Sequence, residues 1–149
     1  MQQYEAYPFV LNEGKTHYHF QSIGKRGVFE KAIEFSPLND HVYNLALLDF
    51  DPTTGEFVDD TITDNGDMRE VLATVLKIAL HFLSRNPYQS IVISGNSDSR
   101  TRLYQIAIGR LFPDVREFLL IKGLKNEQWL DFEPNGSFES FLIARKLLD

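Results

Sequence analysis

Residues Gly95-Asn96-Ser97-Asp98-Ser99-Arg100-Thr101-Arg102 stand where a short β-branched run, Ile91-Val92-Ile93, hands over to a helical pattern. They carry the strongest chemical signal in the chain. A helix start exposes unpaired backbone N–H groups and about half a positive charge from its macrodipole, so it attracts anions and disfavours cations. Two arginines in the first turn run against that rule. A bound phosphate, sulfate or carboxylate resolves the conflict. Gly95 lets the backbone turn closely, Ser97, Ser99 and Thr101 add hydroxyl donors, Arg100 offers a planar fork, and Arg102 shares the turn. Arg100 precedes Leu103 and Tyr104 by three and four residues, which aims it toward the sheet. The structural alternative pairs one or both arginines with Asp49, Asp59, Asp60 or Asp98, so that they pin the helix and bind nothing. Asp49, near the end of the central strand, is the foremost candidate. The turn lacks the lysine and full spacing of a P-loop, which leaves nucleotide hydrolysis without a basis.

A second cluster comprises Asp49, Asp51, Asp59, Asp60, Asp64 and Asp67, each beside a turn or strand end. Carboxylates that converge in space hold Mg2+ and organise phosphodiester hydrolysis, which makes an Asp-dependent, divalent-metal nuclease of ribonuclease H-like topology the enzymatic alternative. Aspartates also favour turns and caps for their local hydrogen bonds, and Asp67 has the position of an N-cap. Asp64-Asn65-Gly66-Asp67 lacks the later ligands of a calcium loop. His17 and His19 share one strand face but have no third ligand, and His41 and His81 have no orienting carboxylate. Ser94-Gly95 lacks the framing of a nucleophile elbow. Lys25 and Arg26, with Lys15 and Lys31, flank Tyr18, Phe20 and Phe29, an arrangement on which bases stack. Those aromatics, however, sit on the expected core face. No catalytic constellation, metal set or cofactor fingerprint assembles, so neither a metal nor a cofactor is expected.

The elements that must position these groups follow from periodicity. Residues 16–22 alternate, with Tyr18 and Phe20 on one face and His17, His19 and Gln21 on the other. Gly24 and Gly27 then frame a hairpin turn. In the next strand Phe29, Ile33 and Phe35 oppose Glu30 and Glu34. Residues 42–50 are apolar on both faces, as in a central strand, and 57–62 pair back after the turn at Pro52-Thr53-Thr54-Gly55. The period changes at Asp67, where Asp67 and Glu70 have capping-box spacing and Met68, Val71, Leu72, Val75, Ala79 and Phe82 recur at helical intervals. That helix runs from Met68 to Arg85 and stops before Asn86-Pro87. Residues 90–94 form a buried strand, and a second helix spans about 99–112, ended by Pro113. Residues 118–121, 129–132 and 138–143 read as further strands, and the last segment fits a strand or a short helix. The order βββαβαββ(β) is an α+β fold: two helices packed on a mixed, mainly antiparallel sheet. Val71, Val75, Phe82, Leu103, Tyr104 and Ile108 are expected to bury against Leu45, Leu47, Ile91 and Ile93.

At 149 residues, with 43% hydrophobic and 24% charged residues and neither repeat nor linker, the chain reads as one folded domain spanning 1–149. Zero cysteines exclude disulfides, thiolate metal sites and cysteine nucleophiles. A net charge of -6 opposes non-specific DNA binding, which needs clustered positive charge. The absence of a long apolar stretch or a secretory pattern points to a cytoplasmic protein without membrane partners. Tyr43-Asn44-Leu45-Ala46, Asp64-Asn65-Gly66-Asp67 and Arg100-Thr101-Arg102-Leu103-Tyr104 together resemble a family of small uncharacterised bacterial proteins, a domain of unknown function. The resemblance covers nearly the whole chain, implies a single bacterial domain and supplies no catalytic residue. The sequence therefore reads as a binding or interaction module with an anion site at the Gly95–Arg102 turn, its partner an anionic small ligand or a protein.

Overall fold

Alternating apolar and polar residues build the first part of the chain into an antiparallel meander. In the computed structural model, which describes residues 5–12, 14, 17–58 and 65–147, four strands pair in succession: β1 (Phe9–Leu11), β2 (His17–Gly24), β3 (Gly27–Pro37) and β4 (Val42–Asp51). β1 is a finding the sequence did not announce, because three residues are too few to display a period. A short strand, β5 (Glu56–Val58), folds back on the end of β4 and sets Val58 opposite Asp49. This is the expected return; residues 59–62 of that expected strand lie outside the described residues.

Helix α1 (Met68–Arg85) has the bounds that its periodicity and Pro87 imply. It carries the chain across to β6 (Ser90–Ile93), which lies parallel to β4 with Leu45 opposite Ile93. Parallel neighbours need such a crossover, since a tight turn cannot join them. Helix α2 (Asp98–Val115) leads to β7 (Leu119–Lys125), β8 (Gln128–Asp131) and β9 (Ser140–Arg145). β9 inserts between β6 and β7, antiparallel to both, which gives the order β1-β2-β3-β4-β6-β9-β7-β8 with β5 beside β4. One parallel pair among antiparallel ones makes the mixed, mainly antiparallel sheet of an α+β fold.

Several boundaries differ from the sequence reading, and β9 opens at Ser140 where a strand from 138 is expected. Pro113 sits inside α2 rather than ending it. In the last turn a proline forfeits only one hydrogen bond, and the next turn still closes, with Arg116 N–H donating to the Phe112 carbonyl at 2.9 Å. β7 continues through Gly123 to Lys125, because the chain reverses one step later at Asn126 and Glu127, both at positive φ (51° and 66°). Gly123 remains in the strand because the Phe138 ring lies on it: a Cβ there would stand 2.2 Å from Phe138 Cγ. The last segment extends β9 to Arg145 and is not helical over the described residues.

A single hydrophobic cluster joins the helices to one face of the sheet. Ile33, Phe35, Leu45, Ile91, Ile93 and Ile143 meet Val71, Val75, Ile78, Phe82, Tyr104 and Ile108, and Phe35 stacks on Phe82 with ring centres 4.0 Å apart. Each such side chain contributes about 1.5–3 kcal/mol by leaving water. Leu47 and Leu103, expected to be buried, are only partly so.

Candidate functional site

The Gly95–Arg102 turn is built as a tightly closed helix start. Ser97 is the N-cap in extended geometry, and its Oγ accepts from the Arg100 N–H at 3.1 Å. Thr101 answers from one turn later: its N–H and its Oγ1 both donate to the Ser97 carbonyl at 3.0 Å. Gly95 is required by proximity, since a Cβ at this position would lie 2.4 Å from the Thr101 nitrogen. The first turn of α2 therefore rests directly on the end of β6.

This closure sets Arg100 half-buried against the sheet, as its spacing from Leu103 and Tyr104 implies. A crevice of about 220 Å³ opens there, lined by Asn44, Ala46 and Leu47 of β4, by Ser94, Gly95 and Asn96, and by Arg100 and Tyr104. Burial pushes the Tyr104 phenol up to about 12, while the Arg100 guanidinium beside it pulls the other way. Arg100 thus stands next to a neutral hydroxyl, and among the described residues it forms no ion pair. Of the six residues singled out in the turn, Gly95 and Arg100 line the crevice. Ser97 and Thr101 hold the turn closed, and Ser99 and Arg102 are exposed. Asn44 and Tyr104 were not singled out for the site by sequence reasoning. Asn44 arrives from fifty residues upstream, and no local spacing marks it.

Asp49, the foremost acid for a structural Arg100, is engaged elsewhere. It lies opposite Lys31 in the β3–β4 register, and the Lys31 Nζ donates to its Oδ1. Both residues face the core and are only 4% and 5% exposed. The expected basic surface near Lys25 and Arg26 loses Lys31 to this pair and loses Tyr18 and Phe20 to the core. Lys15 lies outside the described residues.

The other carboxylates are likewise occupied by local structure where they are described. Asp51 accepts from the Thr53 N–H at 2.9 Å. Asp67 stands at the N-cap position of α1 but makes no side-chain cap bond. Its Oδ2 instead accepts from Ser22 Oγ at 2.5 Å and from Tyr7 Oη at 2.7 Å. Burial, and then the bond to Asp67, pushes the Tyr7 phenol up to about 12. Asn65, fully buried, donates to Ser22 Oγ and to the Gly27 carbonyl and accepts from the Arg26 N–H at 2.7 Å. A capping box is thereby replaced by a polar knot that ties the β2–β3 hairpin to the entry of α1. Asp59, Asp60 and Asp64 lie outside the described residues, and among the described ones no three His, Asp or Glu side chains converge on a metal position.

The histidines are placed by contacts of the same structural kind. His17 Nε2 pairs with Glu34 at 3.0 Å, and His19 packs on Phe57. His81 Nδ1 meets the Tyr18 hydroxyl at 2.7 Å, where burial also raises the Tyr18 phenol against the opposing effect of Arg85.

No curated protein and no solved structure matches this chain. A family model described as a family of unknown function, DUF6934, matches residues 3–146. Spanning the meander, both helices and the closing strands, that match shows that the chain belongs to this family of unknown function.

Proposed function

We propose that this chain is a single-domain binding module that takes a small phosphate- or carboxylate-bearing ligand in the crevice between β4 and the start of α2. Arg100 carries the recognition, Gly95 admits the close approach, Ser97 and Thr101 hold the turn, and Ser99 and Arg102 act at the mouth. The observation behind the reading is the environment of Arg100. A half-buried guanidinium beside a neutral phenol, at the positive end of a helix, is electrostatically unfavourable until an anion joins it. Asp49 is unsuited to neutralise it, being held by Lys31. The crevice also offers the amide of Asn44, a donor that suits an oxyanion, while the Ser94 hydroxyl on its wall shares a hydrogen bond with Ser140 Oγ at 2.6 Å. A cytoplasmic setting in a bacterial cell belongs to the same reading, on the strength of the motifs and the cysteine-free composition.

Titration of phosphate, sulfate and adenosine monophosphate against thermal stability tests it. A ligand present at one hundred times its dissociation constant adds ~2.7 kcal/mol, a rise of about 8 °C for a chain of this size. Arg100→Ala abolishes that rise. No response to any of the three anions, joined to marked destabilisation by Arg100→Ala, would mean that Arg100 holds the fold and binds nothing.

A further inference from the structure

Tyr104 is withdrawn from water to 2% exposure, and its side chain lines the crevice beside Arg100. The phenol oxygen interacts with the Arg100 guanidinium, a group with five donors and no acceptor, so that contact uses an oxygen lone pair and leaves the phenol proton over. Among the described residues no acceptor takes that proton. A donor so deeply withdrawn is costly to leave unpaired, which makes the hydroxyl the second group, after Arg100, that the crevice holds ready for an occupant. The backbone of the helix start is largely engaged already. The Arg100 N–H donates to Ser97 Oγ, the Thr101 N–H donates to the Ser97 carbonyl, and Asp98 sets a carboxylate in the same turn. The amide cradle that commonly holds phosphate at a helix start is therefore mostly closed, and a dianion would meet an added negative charge there. Among the described residues lining the crevice, Arg100 alone is charged.

We infer, resting on the anion site proposed above, that its occupant is a small monocarboxylate, with one oxygen on the Arg100 guanidinium and the other accepting the Tyr104 hydroxyl proton. One guanidinium balances one negative charge. A carboxylate carries one at neutral pH, whereas a phosphate monoester carries about 1.5 to 2. The crevice, at about 220 Å³, lies below the ~300–1,000 Å³ common to sites for larger ligands, so it suits an acid of a few carbons better than a nucleotide. Ala46 and Leu47 offer the body of such an acid an apolar wall. Tyr104 is thereby a ligand-binding residue, placed one helical turn beyond Arg100 on the same face of α2.

Titration of acetate, butanoate, octanoate and methyl phosphate at constant ionic strength, followed by the shifts of protein NMR resonances, tests the assignment. Butanoate binds more tightly than acetate and more tightly than methyl phosphate, and octanoate gains nothing over butanoate. Arg100→Ala abolishes binding of all four. Tyr104→Phe keeps the ring in the core and weakens butanoate by about 10–100-fold, as loss of a hydrogen bond to a charged group does. In the parent protein the Tyr104 Cζ resonance moves as butanoate saturates the site, a readout that remains if Tyr104→Phe does not fold. Binding that Arg100→Ala abolishes but Tyr104→Phe leaves unchanged, or a Cζ resonance that stays in place, would overturn the role of Tyr104 while the anion site stands. Methyl phosphate binding more tightly than butanoate, or octanoate binding more tightly still, would likewise overturn the small monocarboxylate alone. If none of the four binds, or if Arg100→Ala binds them as the parent does, the anion site and its occupant fall together.

Discussion

Removing one member of the Lys31–Asp49 pair should be among the most damaging single changes available in this protein. Both side chains lie on the core face of adjacent strands, and both are almost wholly withdrawn from water. Each charge is tolerated there only because the other compensates it. Asp49→Ala leaves an ammonium with no partner among apolar neighbours, and Lys31→Met leaves a carboxylate in the same state; breaking a buried pair in this way costs about 3–5 kcal/mol. At roughly 2–4 °C per kcal/mol for a domain of this length, the midpoint of thermal unfolding should fall by about 6–20 °C in either variant. The double variant Lys31→Met, Asp49→Leu removes both charges and nearly keeps the volume, so it should recover most of the loss, because the desolvation of two ions is no longer opposed to folding. Urea unfolding of the parent, both single variants and the double variant closes the cycle, with unchanged slopes certifying that the comparison is of stability alone. Single variants within about 1 kcal/mol of the parent, or a double variant as unstable as the two losses added together, would refute the reasoning. The same set bears on catalysis. Were Asp49 a metal ligand of a nuclease, Lys31→Met would release it for Mg2+, and metal would raise the stability of that variant.

Gly95→Ala should cost about 1–3 kcal/mol, because the new methyl meets the backbone of Thr101 rather than a side chain that can swing aside, and thermal unfolding of the variant measures this. Asp67→Ala should cost about 2–4 kcal/mol by leaving the buried Ser22 hydroxyl unpaired, and Asp67→Ser should not restore the loss; a serine that did restore it would show that Asp67 acts as a helix cap after all. The phenols of Tyr7 and Tyr104 are both raised from 10.0 to about 12 in the folded chain. Folded protein therefore holds protons that the unfolded chain releases, so the stability they contribute is complete below pH 10 and is lost as pH rises toward 12. Denaturation midpoints across that window should fall, with a slope approaching about 1.4 kcal/mol per pH unit for each tyrosine involved, and Tyr104→Phe should flatten the decline.

What the sequence made legible was local, and what it hid was carried by register. α1 could be bounded at both ends because each signal lies within a few residues: a period that changes at Asp67 and a proline at position 87. β2 and β3 were legible for the same reason, since Tyr18, Phe20, Ile33 and Phe35 alternate within their own strands. Lys31 occupies the core phase of β3, between Phe29 and Ile33, but a lysine there reads as an interruption until its partner is known. The partner, Asp49, is eighteen residues away and becomes opposite only when β3 and β4 are aligned. Asp67 misled in the reverse direction. Its spacing from Glu70 imitates a capping box, whereas its real partners, Ser22 and Tyr7, lie forty-five and sixty residues distant in sequence.

The crevice at Arg100 has a comparable origin in pairing rather than in motif. Two strands share one edge of β4: β6 pairs with residues 42–45, and β5 pairs with residues 49–51. Between them lie residues 46–48, at the place where β6 ends and the chain lifts away into α2. A gap at the carboxyl end of a parallel strand pair is where α/β sheets commonly receive ligands, because diverging connections leave space that no side chain is obliged to fill. Here Ala46 keeps the floor low, Gly95 brings the helix start close, and Arg100 reaches back over the opening beside Tyr104. The charged turn that stands out in the sequence is thus one wall of a crevice whose other wall, Asn44 to Leu47, belongs to the central strand. The Asn44-Leu45-Ala46 segment and the Arg100–Tyr104 segment, two of the stretches that carry the family resemblance, meet across that single opening.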